Sequence, residues 1–399
     1  MRAFHLALRF SVAAPAGALW LAIAGCSAPA SEVSARGSAA IDADEAGAAP
    51  SAPAGSLVLY AIPPSSPLDW STPNHLLDTV AASAAAGEVL VAEGSAALSH
   101  EIGHVNLELD CGSTSFPLTG QTGGGSSLKS GADGAGVLLR DFPGAMNEMD
   151  NAIGDNADTV ADIAARVASG NLTEIRFLVN QAMCTRLKTF HDQYVASGAY
   201  VNYGSLYRPR RFEGAGCAIF GAGVVDVGGL LGRSLFTPVW AQTLFIGSAR
   251  IANTLGANAY YGYGSNLVTR DASGLDWIWP AGVNVPAPTF SPILPESGVM
   301  DAWTGPSDEP FAIPGVTLAG PMATAIPFTL YDPALMVAWA EGVWAQAQAQ
   351  GSASSLGATW TADTVQAVHR VTYDATSVAP QTIAFDADND DLFLDSDAP

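Results

Sequence analysis

From His104 to Cys111 apolar and polar residues alternate strictly. Val105, Leu107, Leu109 and Cys111 share one face; His104, Asn106, Glu108 and Asp110 share the other, the period of a half-buried strand. Gly112-Ser113 then suits a two-residue hairpin turn. Residues 116–121 read as the returning strand, which Pro117 confines to an edge or a bulge. Residues 56–62, 88–92, 137–140 and 174–179 also read as strands. A helix is expected after Ser71 or Thr72, with Pro73 in its first turn, running through His75 to Val80. Others are expected over 158–169, closed by Gly170, and over 181–197, where Met183, Leu187, Phe190 and Tyr194 recur at helical spacing before Gly198. Residues 218–231 form an apolar run long enough for a buried helix, in which Asp226 and the glycines argue against a membrane span. Asp332-Pro333 opens a last helix ending at Gly351, and beyond it no element is predicted. With strands first and the main helices later, the expected fold is α+β. A small antiparallel sheet carries the histidine strand on a buried helix led by Cys217, and a Pro/Gly/Trp-rich region follows.

The N-terminus reads differently. Arg2 and Arg9 supply a positive start, 10–23 is a short apolar stretch, and Leu21-Ala22-Ile23-Ala24-Gly25-Cys26 sets small residues before a cysteine. The apolar stretch is short for a membrane span, and small residues suit a peptidase cleft. The segment resembles the lipobox of bacterial lipoproteins, which implies cleavage after Gly25 and lipidation of Cys26. Residues 26–55 are Ala, Ser, Pro, Gly and scattered acid, a composition unable to bury enough surface to order itself, and are read as a tether. The folded part is then 56–385, one domain with its core at about 85–235 and an irregular insertion or lid at about 260–327. An acidic tail, 386–399, closes the chain. Its Asp386, Asp388, Asp390 and Asp397 partly match a calcium loop, but Asp391 stands where that loop needs glycine, and a solvated tail is the preferred reading.

Composition narrows the partners. The formal charge is −22, and losing Arg2 and Arg9 with the leader makes it more negative by two. Such a balance argues against nucleic acid and against adhesion to anionic headgroups. It suits a soluble domain in the bacterial cell envelope. Ser27, not an aspartate, follows Cys26, and the resemblance to lipoproteins then implies lipid anchoring at the outer membrane. Trp277, Trp279, Trp303, Trp339, Trp344 and Trp360 are assigned no functional role.

Two constellations compete for chemistry. His100-Glu101-Ile102-Gly103-His104 matches H-E-x-x-H, which on a helix gives two zinc ligands, His100 and His104, and a general base, Glu101. On a strand the two histidines would lie roughly 13 Å apart, too far to share an ion. The second constellation is Cys217 with His104. With Cys26 lipidated, three cysteines remain, so one pair can bridge and one thiol stays free. A bridge between Cys111 and Cys184 leaves Cys217 free. Cys217 follows Gly214-Ala215-Gly216 and opens the apolar helix, where the helix dipole favours a thiolate. A two-residue turn at Gly112-Ser113 would set Gln121 opposite His104, able to orient the imidazole.

The pieces Gly103-His104-Val-Asn-Leu-Glu-Leu109 and Gly214-Ala-Gly-Cys-Ala-Ile-Phe220 resemble the circularly permuted branch of the papain-like amidase and acyltransferase superfamily. In that branch a histidine-bearing strand precedes the nucleophile helix. The resemblance covers roughly residues 85 to 235 and implies Cys217 as nucleophile and His104 as base, with no cofactor. The substrate would be an envelope peptide crosslink or a lipid acyl group. A zinc peptidase and a non-catalytic binding or scaffold lipoprotein are the other two readings.

Overall fold

The computed structural model describes residues 52–123, 128–131, 134–137, 140–141, 144–146, 157–201, 203–204, 209–212, 214–231, 239–247 and 325–380. By its contacts the chain divides into Met1–Gly47 and Ala48–Pro399, and every described residue belongs to the second unit. The leader, Cys26, the 260–324 region and the acidic tail lie outside the described residues.

In chain order the elements are β1 (Gly55–Ile62), α1 (Pro73–Ala92), β2 (His104–Asp110), β3 (Phe116–Thr119), β4 (Gln121–Gly123), β5 (Leu128–Gly131), β6 (Gly134–Val137), β7 (Arg140–Asp141) and β8 (Gly144–Met146). There follow α2 (Ala157–Ser169), β9 (Thr173–Val179), α3 (Gln181–Ala196), β10 (Tyr203–Gly204), α4 (Cys217–Gly228), β11 (Ala241–Gly247), β12 (Ala325–Tyr331), α5 (Pro333–Gln350), β13 (Ala353–Ser355), β14 (Ala358–Val365) and β15 (Val368–Asp374). The fold mixes helix and sheet. Seven strands in the order β13-β14-β15-β9-β1-β2-β3 make the main sheet. All neighbours in it are antiparallel except β15 and β9, which run parallel. The sheet is therefore larger than the small antiparallel one expected, and mixed. Its extra strands come from 353–374, where no element is predicted.

One face of the sheet is apolar. Leu57, Leu59 and Ala61 of β1, Val105, Leu107 and Leu109 of β2, and Ile175, Phe177 and Val179 of β9 are all buried. Against this face lie α3, through Met183, Leu187, Phe190 and Tyr194, and α5, through Met336, Ala340, Val343 and Ala347. The other face carries polar pairs: Tyr60 donates to Glu108 at 2.6 Å and Arg370 bonds Glu174. Toward one end this face is also covered, where Ile62, Leu172 and Val368 pack with Ile163 and Val167 of α2.

The run 88–92, expected as a strand, is instead the last turn of α1. No turn residue interrupts 73–92 except Gly87, and a short apolar run has no period of its own to choose between strand and helix. Thr72 caps α1 by accepting from the N–H of His75 at 3.1 Å. Asn180 caps α3 and Asp332 caps α5 in the same manner.

α4 fits against β2 because it is built from small residues. A Cβ at Gly221 would stand 2.8 Å from Cγ1 of Val105, so glycine allows a backbone approach that alanine would push apart. Farther along β2, Cys111 is joined to Cys184 of α3 by a disulfide with Cα atoms 6.1 Å apart and a sequence separation of 73. Loop closure of that length stabilises by about 4 kcal/mol in the chain-entropy picture. C111S/C184S should therefore lower stability by about 2–5 kcal/mol, read as a drop in the urea midpoint that reducing agent reproduces in the wild-type protein.

Candidate active site

β2 begins with His104 and α4 begins with Cys217, and the two starts meet. Gly216, extended at φ −90° and ψ 169°, precedes the helix, and the N–H of Phe220 returns to its carbonyl at 2.8 Å. Cys217 therefore sits at the first helical position, where the backbone dipole favours negative charge. Both Cys217 and His104 are 5 % exposed. Cys217 is the one free cysteine among the described residues.

Three groups act on its sulfur. His104 and the backbone of Val105 lie close enough to favour its anion, and the Tyr203 hydroxyl stands 3.9 Å away. Burial pushes the Cys217 thiol up, but His104, with help from Val105 and Tyr203, outweighs it and leaves the pKa below the ordinary thiol value.

Gln121 lies elsewhere. Its amide donates to the Tyr200 carbonyl at 3.2 Å and its oxygen accepts from the Tyr194 hydroxyl. One departure moves it. The turn after β2 is a 3₁₀ turn over Gly112–Thr114, yet Leu109 still lies opposite Phe116, as a two-residue turn would place it. The pairing then slips by one residue, so that Leu107 lies opposite Thr119. The shift falls at Pro117, which has no N–H for the ladder, and a one-residue slip turns a side chain to the other face.

The amide set beside the imidazole belongs to Asn106, on the same face of β2 two residues on. Oδ1 of Asn106 and Nε2 of His104 are both buried without a hydrogen-bond partner. Both border Gly120: a Cβ there would stand 2.2 Å from the first and 3.1 Å from the second. Two unsatisfied buried polar atoms at one spot are uncommon in a native fold and fit a site that bonds during reaction. The alternation of β2 puts Asn106 and His104 on one face.

The H-E-x-x-H stretch is not a helix. Glu101 and Ile102 form a turn, the N–H of Gly103 returns to the His100 carbonyl at 3.1 Å, and Gly103 has φ +80°. The turn folds His100 back onto His104, so the 13 Å separation expected of a strand does not hold. The ring centroids are 4.7 Å apart with planes 6° from parallel. A nitrogen lone pair lies in its own ring plane, and two nearly parallel planes do not converge on one ion. Nε2 of His100 is instead 3.0 Å from Oδ2 of Asp162. Glu101 is half-buried in the turn. Among the described residues no three metal-ligating side chains come together.

Asp162 is fully buried on α2. It accepts from the N–H groups of Ala97 and Leu98 at 2.8 and 2.9 Å and from Nε of Arg166 at 2.8 Å. Arg166 returns to the Leu98 carbonyl at 2.7 Å. Despite burial, the His100 bond, the backbone donors and Arg166 hold the Asp162 carboxyl well below the usual carboxylate range. Burial, aided by the charges of His104 and Arg166, pulls His100 down to about 4 against the pull of Asp162. His100 is thus neutral near pH 7, and Nε2 carries the proton that Asp162 accepts.

Two outcomes follow from this geometry. Between about pH 6.5 and 4 the unfolded chain takes up a proton that native His100 refuses, so stability falls as pH drops through that window, by about 3 kcal/mol in all. Urea unfolding at the two ends should show this loss, and H100F should remove most of it. G120A should fold with about 1–3 kcal/mol less stability, because the new methyl meets the movable end of Asn106, yet its Cys217 should be alkylated more slowly at neutral pH than in the wild type.

No family model matches this chain, and neither the curated proteins nor the solved structures include a significant match to it, so its function is argued from the thiol site itself.

Proposed function

We propose that this chain is an envelope-anchored thiol hydrolase or acyltransferase, with Cys217 as nucleophile and His104 as its proton partner. The observation that carries the reading is a free thiol at the first position of α4, close to His104 at the start of β2; the downward direction of its pKa despite burial supports it. The order of the pieces, histidine strand before cysteine helix, fits the permuted papain-like arrangement that the sequence resembles.

In the reaction the Cys217 thiolate attacks the carbonyl carbon of an amide, ester or thioester. The carbon–sulfur bond forms, and the bond to the amine, alcohol or thiol leaving group breaks as His104 gives that group its proton. Water, or an acceptor amine or alcohol, then attacks the thioester, gives its proton to His104 and restores the thiolate. Asn106, beside the ring, is the amide suited to orient it as the charge changes. Backbone donors at the glycine-rich entry to α4 suit the developing oxyanion.

The substrate class is an envelope carbonyl compound such as a peptide crosslink or a lipid acyl group. Anchoring is assigned to acyl chains on Cys26, since two or more chains hold a protein stably where one does not. No role in nucleic-acid binding is proposed.

An activated ester offered to the purified protein should leave an acyl group on Cys217, seen as a mass increase confined to its peptide. C217A should abolish it and H104A should slow it by at least about 10²-fold. A wild-type Cys217 that neither acylates nor alkylates below about pH 8 would remove the proposal. C26A should move the protein from the membrane fraction to the soluble one without altering acylation in the purified form.

A further inference from the structure

Resting on the thiol reading above, we propose that His100 is a positioning residue whose ring forms a fixed platform for His104, anchored through Asp162 and Arg166. His100 itself touches neither the sulfur nor any reacting atom. What it touches is the flat face of His104, over a centroid separation of 4.7 Å with planes 6° apart. A hydrogen bond from this ring to Cys217 is made in the plane of the ring, so a ring turned out of that plane could not make it.

The platform is itself held. Its Nε2–H is donated to Asp162 at 3.0 Å, and Asp162 is gripped by two backbone N–H groups and by Arg166, which is 1 % exposed. Loop 97–100 is thereby tied to α2. The charged groups facing the stack are Asp162, Arg166 and His104 itself. A neutral ring on this side leaves His104 free to hold the positive charge of a thiolate–imidazolium pair. A cation stacked there would repel it.

Two substitutions separate platform from tether. H100F keeps a flat ring and loses the bond to Asp162; H100Q keeps a donor for Asp162 and loses the ring. The readout is the pH midpoint of the ultraviolet thiolate absorbance of Cys217, each protein measured in the full chain against the same protein carrying C217S. We expect H100F to hold the wild-type midpoint and H100Q to raise it by about one unit or more. Equal midpoints in the two variants, or a shift in H100F alone, would overturn the platform. Thermal unfolding of both variants identifies one that fails to fold; H100D and H100N, neither aromatic, then replace H100Q, with a raised midpoint expected and an unchanged one counting against the idea. H104A tells the two proposals apart. If it leaves the wild-type midpoint unmoved, the thiol reading fails; if it raises the midpoint while H100Q does not, only the platform fails.

Discussion

Taking a sulfur out of water disfavours its anion, and the proposed chemistry depends on how that penalty is offset at Cys217. The offset does not come from exposure, since the thiol is 5 % accessible. It comes from an imidazole, a strand N–H and a phenol brought to one point, each worth more in a dry setting than it would be in water. The first turn of α4 adds the helix dipole. Remove the approach of α4 to β2 and these contributions vanish together.

That approach is a packing result. β1 lies in the middle of the sheet, with β2 and β9 antiparallel on either side, and its apolar face gives α3, α4 and α5 a common floor. The small residues of α4 bring its backbone down onto Val105, and the Cys111–Cys184 bridge ties the far end of β2 to α3. The histidine at one end of the strand is thus held by a floor, a helix and a covalent tie at the other end. Precise placement of a reacting pair needs rigid elements of this kind.

A second layer surrounds the pair. The buried Asp162–Arg166 ion pair is costly to desolvate and is a weak source of net stability by itself. Its use here is geometric: with four hydrogen bonds it fixes loop 97–100 and through His100 the flat face of His104. The unpartnered atoms of Asn106 and His104 at Gly120 mark the side of the imidazole that this layer leaves unsatisfied.

Local chemistry was legible from the residues alone. The alternation from His104 to Cys111 is a strand; caps and stops at Thr72, Asp332 and Gly351 bound their helices; and the start of α4 at Cys217 was one residue from the expected helix. These signals act within a few residues, where period and capping decide. Tertiary structure decided the rest. The parallel pairing of β15 with β9 joins segments about 200 residues apart in the chain and leaves no local mark. The slip at Pro117 leaves Gln121 bonded to Tyr200 and Tyr194, and Asn106 is the amide that borders Gly120 together with His104, because register depends on how two strands meet. Gly103 in the left-handed region turned a metal-like motif into a stacked pair of rings, an outcome that depends on what His100 finds to bond on α2. Residue types named the reagents; the distances between them were set by packing across the sheet.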